Sequence, residues 1–219
     1  MENIKFSIFD LFAYTIPGCV ALLAGAIYFN SNISQLSDLG AIFQNAGIGT
    51  GLLTIVVAYI IGFAIDTPGS WVYYKIGCRI WGAPYDPRSR KLSNSTERAL
   101  VRHFSPENFS YIQLWKVVKT MSHNLSFASI LLGITSTVKA FQVQPQYQLE
   151  WFSIAIISFI GSVIFLNRSN LFDKWHYRDL TETVNALRLE QRAFKEVEGT
   201  SNGQENSNKI LEDLLIKRK

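Results

Sequence analysis

LFAYTIPGCVALLAGAIYF, residues 11–29, contains no Asp, Glu, Lys or Arg. About 20 such residues in a helix cross a hydrocarbon layer of roughly 30 Å. Three further runs share this character. Leu39–Ile65 is uncharged and densest from Gly51 to Ile65, Thr120–Val138 carries no formal charge with His123 neutral, and Trp151–Leu166 is shorter but dense in Ile, Phe and Val. Each alone would suit a buried helix of a soluble domain. Four together, separated by polar segments, predict an all-α polytopic membrane protein.

Composition points the same way. Of 219 residues, 48% are hydrophobic and 17% charged, against about 25% charged in soluble domains. A net charge of +4 is compatible with nucleic acid, but the basic residues lie between and after the apolar runs. The segments before the first run, between the second and third, and after the fourth hold 1, 9 and 10 Lys or Arg; the other two loops hold only Lys139. By the positive-inside bias, both ends and the middle loop face the cytoplasm of an inner (plasma) membrane. The expected organisation is a four-helix transmembrane domain over residues 1–167, including a cytoplasmic helical insert at 66–119. A C-terminal helix, linker and tail follow over 168–219. Tyr147 and Trp151 are placed at the outer boundary and Trp115, Trp175 and Tyr177 at the inner one. Glu2, Lys5 and Asp10 precede a first run too long for an ordinary signal-peptide core, and no small-residue cleavage pattern follows it, so it is read as a retained anchor. Asn32-Ile33-Ser34 has the form of a glycosylation acceptor. Cys19 and Cys78 suit neither a metal site nor a disulfide framework, and no cofactor is expected.

The polar segments carry helix signals. Asp66 reads as an N-cap with Pro68 in the first turn, opening a helix to about Trp81. Trp71, Tyr74, Cys78 and Trp81 recur at helical spacing with Lys75 and Arg79 alongside, which suits the headgroup interface. Asn94 followed by Glu97 caps a short helix through His103. From Pro106 to Val138 nothing interrupts a single helix, whose first turns precede the apolar part. Asn170–Val197 reads as one helix in which Leu180, Val184, Leu187, Gln191 and Phe194 alternate spacings of four and three. This stripe is an oligomerisation seam or, alternatively, a face packed on the middle loop of the same chain. Gly199–Asn208 is a polar linker, and Ile210–Lys219 forms a short amphipathic helix through Leu211, Leu214 and Leu215.

Ser122, His123, Asn124 and Ser126 give the third run a polar face that belongs against protein or along a hydrated path. No Asp, Glu, Lys or Arg lies deep in any run, which argues against an ion-coupled pump. Ala13, Pro17, Ala21 and Gly25, with Gly47, Gly49 and Gly51, predict closely approaching helices, and Pro17-Gly18 predicts a kink. Catalytic signatures such as G-x-S-x-G, the Walker A loop and H-E-x-x-H are missing. Arg98-Ala99-Leu100-Val101-Arg102-His103 resembles the R-x4-H pattern of HEPN ribonucleases, which implies an Arg and a His acting together on RNA. The other reading is a basic helix face near anionic headgroups.

Phe9-Asp10-Leu11-Phe12-Ala13-Tyr14-Thr15-Ile16-Pro17-Gly18 and Ala58-Tyr59-Ile60-Ile61-Gly62 resemble small membrane proteins of prokaryotic antiphage defence loci, among them the four-span Kiwa-type subunit. The resemblance implies a membrane subunit that senses infection or damages the host membrane together with a cytoplasmic partner; it assigns no functional residue. The expected function is a non-enzymatic, homo-oligomeric membrane protein. It would dock a cytoplasmic protein through Arg88, Arg90, Lys91, Arg98 and Arg102 and the C-terminal helix. The alternatives are a pore lined by the third run and an RNA-cleaving enzyme.

Overall fold

The computed structural model describes residues 2–44, 47–84 and 92–200, with no strand among them. The helices are α1 (Glu2–Phe29), α2 (Leu36–Gln44), α3 (Ile48–Ala64) and α4 (Asp66–Val72). A π-helical turn (Tyr73–Gly77) and α5 (Cys78–Trp81) follow, then α6 (Asn94–Phe104), α7 (Pro106–Gln142), α8 (Pro145–Ala186) and α9 (Leu189–Thr200). Three of them, α1 from Leu11, α7 and α8, are long and apolar enough to cross a membrane. A fourth crossing is reached if α3 and Asp66–Trp81, bent by 43° at the break between them, are one span. The uncharged run Leu39–Ile65 is not one helix: α2 ends at Gln44 and α3 starts at Ile48. With 17 residues, α3 is about 25 Å long, short of a full hydrocarbon layer.

The chain divides into two compact units. The first comprises residues 1–84 and 116–173. Leu52, Ile60, Phe63, Ile157 and Ile164 all turn outward, more than half exposed. Exposing an outward apolar layer of this kind costs free energy in water but not in lipid. α1 and α3 cross in backbone contact: a methyl at Gly18 would overlap the Ala58 carbonyl, and one at Gly62 the Tyr14 carbonyl. Gly25, Gly47, Gly49 and Gly51, singled out by their spacing, have no such neighbour. α1 continues through Pro17, which is fully buried.

At one end of this unit, Ile27, Ile33, Ala140 and Trp151 form a closed cluster. Trp151 is wholly buried and donates its indole N–H to the Ser34 carbonyl at 2.9 Å, so it is a core residue. The preceding turn is tied down locally. Lys139 Nζ donates to the Asn30 carbonyl at 3.0 Å. The Asp38 carboxylate accepts from the Ser34 and Gln35 amides, bonds that hold its pKa below the usual range.

The second unit, residues 85–115 and 174–219, has its own core: Leu100, Val101, Ile112, Leu180, Val184, Leu189 and Ala193. Ser93, not Asn94, caps α6, accepting from the Thr96 amide at 3.3 Å; Asn94 is the first helical residue. The helix expected over Asn170–Val197 differs at both ends. It is continuous upstream with the fourth apolar run as α8, and it breaks after Ala186. The break is at Arg188, where φ is +50°. This left-handed residue rephases the chain, so that Leu189 and Ala193 enter the core while Gln191 turns to solvent.

Candidate functional site

The densest polar cluster of the first unit forms where α3 gives way to α4. Ile65 caps α4 without a side-chain hydrogen bond, so the Asp66 carboxylate, expected to cap, is left to reach across to α7. Its Oδ1 lies 3.1 Å from His123 Nε2 and 3.3 Å from Asn124 Nδ2. A carboxylate only accepts, so Nε2 carries the proton in this pair. Ser70 Oγ sits 3.2 Å from the same nitrogen. Gly69 permits this approach: a Cβ there would stand 2.8 Å from Asn124 Oδ1. Two polar atoms of the cluster, His123 Nδ1 and Asn124 Oδ1, are buried without a hydrogen-bond partner.

A second group adjoins the first. Asp173 of α8, 3% exposed, accepts from the Tyr73 hydroxyl at 2.8 Å and pairs with Lys119 Nζ at 3.0 Å. The ammonium lies 4.9 Å from the centre of the Tyr73 ring and 5.2 Å from that of Tyr74. It donates to the Tyr74 hydroxyl at 3.3 Å. A partly buried cation with one carboxylate, one hydroxyl and two ring faces is well compensated. The Tyr73 ring stacks on His123 with centroids 6.2 Å apart, joining the two groups. Further along the helices, Ser126 and Ser162 share a hydrogen bond at 3.0 Å.

All four residues of the expected polar face are buried: Ser122 and His123 to 3%, Asn124 and Ser126 to 0% exposure. The partners Asp66, Ser70, Tyr73, Lys119 and Asp173 escape a pattern search because they come from three separate segments. Their one sequence signal is position: Asp66 and Lys119 directly flank apolar runs. Lys119 and Asp173 offset each other's charge, and among the described residues no group of His, Cys, Asp and Glu could hold a metal ion.

The remaining candidates lie in the second unit. Arg98 Nη2 is 3.1 Å from His176 Nε2, and His176 Nδ1 is 3.1 Å from the Ile112 carbonyl. Nδ1 is therefore the donor and Nε2 accepts from the guanidinium. His103 instead faces Glu196 at 3.4 Å, both well exposed. Five residues along a helix turn a side chain by roughly 140°, which is why the R-x4-H pair parts. Arg102 is exposed, its guanidinium 5.9 Å from the Phe109 ring. Leu180, Val184 and Leu187 pack into this chain's own core; Phe194 is half-buried. Arg88, Arg90, Lys91 and the helix expected over Ile210–Lys219 lie outside the described residues. No family model, curated protein or solved structure matches this chain.

Proposed function

We propose that this chain is a four-span inner-membrane protein with both ends in the cytoplasm. Its second unit docks a cytoplasmic protein or signal, in the manner of the membrane subunit of a phage-defence system. The observation that carries the proposal is the segregation of surfaces. The first unit turns apolar side chains outward on α1, α3 and α8, while the second buries an apolar core of its own and exposes Arg102, Arg178, Arg192 and Lys195. One unit suits lipid and the other suits water. The cation count of 20 against 1 supports placing the second unit in the cytoplasm.

The docking reading is preferred to a pore because the polar face of α7 is occupied by this chain's own Asp66, Ser70 and Ser162. It is preferred to RNA cleavage because Arg98 and His103 serve different partners. The test is affinity capture of the full chain from cells carrying its neighbouring genes. Partners should be lost on truncation at Gly199 or on joint Arg88→Gln, Arg90→Gln, Lys91→Gln replacement. Unchanged capture by both variants defeats the placement of the docking surface, and conductance in sealed proteoliposomes would revive the pore.

A further inference from the structure

Asp66–Trp81 departs from α3 at 43° and turns two unlike faces to its surroundings. Gly69, Val72, Tyr73 and Gly77 are buried. An uninterrupted α-helix would keep Ile76 and Ile80 on that inward stripe, three and four residues on from Tyr73 and Ile76. The π-helical turn over Tyr73–Gly77 inserts one residue. Gly77, four residues on from Tyr73, continues the buried stripe, and a Cβ there would stand 3.2 Å from Leu166 Cγ. Ile76 and Ile80 instead turn outward, 44% and 64% exposed, beside Trp71 at 61% and Tyr74 at 58%. Lys75 and Arg79 are exposed within the same face, and no acidic residue occurs from Thr67 to Trp81.

We propose that this outward face is a binding site for anionic phospholipid. Lys75 and Arg79 hold the phosphate, Ile76 and Ile80 enter the acyl boundary, and Trp71 and Tyr74 sit at the level between. Charge decides the occupant: cations spaced one helical turn apart among aromatic and branched apolar side chains match a negative headgroup above hydrocarbon. The cations of the buried face do not compete, since Lys119 is spent on Asp173. The inference rests on the chain being a membrane protein.

Its test uses the full chain released from nanodiscs of mixed zwitterionic and anionic phospholipid, with the retained lipids weighed by native mass spectrometry. The wild-type chain retains anionic lipid preferentially. Lys75→Gln with Arg79→Gln weakens that retention by about 30-fold, the effect of two basic side chains at a charged surface. Lys75→Arg with Arg79→Lys restores it, and Arg192→Gln with Lys195→Gln leaves it unchanged. Soluble glycerol phosphate does not displace the lipid. Equal retention of both lipid classes, or no loss in the Gln double variant, overturns the site while leaving the membrane reading intact. Loss of self-association in that variant with unchanged lipid ratios also overturns it, in favour of a second copy as occupant. A chain retaining no lipid of either class removes both.

Discussion

His123 meets Asp66 and Ser70 through one nitrogen and lies against Tyr73 through its ring. His123→Ala leaves the Asp66 carboxylate with Asn124 as its remaining side-chain partner in the cluster. The expected loss is about 1–3 kcal/mol, read as a lower melting temperature of the detergent-solubilised protein, with His123→Gln recovering part of it. The Asp66 side chain is 36% exposed, so water moderates the penalty. Arg188 offers the opposite sign. Its φ of +50° is a conformation that glycine adopts freely, and Arg188→Gly should be neutral or stabilising by up to ~1 kcal/mol in the same melting experiment. The residue type of His123 and Asn124 marked them in the sequence as polar groups amid apolar ones. Asp66 read as a helix cap and Asp173 as an ordinary charge in a polar segment, because pairing across helices leaves no spacing to read.

At the level of elements, the α1–α3 crossing is set by two glycines whose missing Cβ atoms let backbones touch. Gly18→Leu and Gly62→Leu should each cost more than the ~1–3 kcal/mol typical of overpacking, because carbonyl groups cannot repack as side chains do. Gly25→Leu and Gly49→Leu, in open surroundings, should be tolerated; folded yield in detergent compares the four. At this crossing Gly18 meets Ala58 and Gly62, and Gly62 meets Tyr14. The single helix expected from Pro106 to Val138 is present within α7, since no proline or glycine pair interrupts its pattern. The coiled-coil stripe is not continued past Leu187, because one left-handed residue changes which side chains share a face.

For the whole molecule, the proposed topology predicts labelling of introduced cysteines. In a cysteine-free background, Leu92→Cys and Arg102→Cys should react with a membrane-impermeant maleimide only in inside-out vesicles, and Asn32→Cys only in intact spheroplasts. Reaction of residue 92 or 102 from outside would reverse the orientation. The four apolar runs, the surplus of Lys and Arg on alternate segments and the long uninterrupted helices were readable without coordinates. Bilayer thickness and transfer free energy act on composition, and composition is local. Tertiary structure alone decided that Asp66 turns from capping a helix to holding His123, and that Gly18 and Gly62 outrank the glycines chosen by spacing. It also decided that Trp151 is a core residue, and that Leu180 and Val184 are consumed within their own chain. These outcomes depend on which surfaces meet across distant segments, and a hydrogen bond or a backbone contact between them has no period along the sequence.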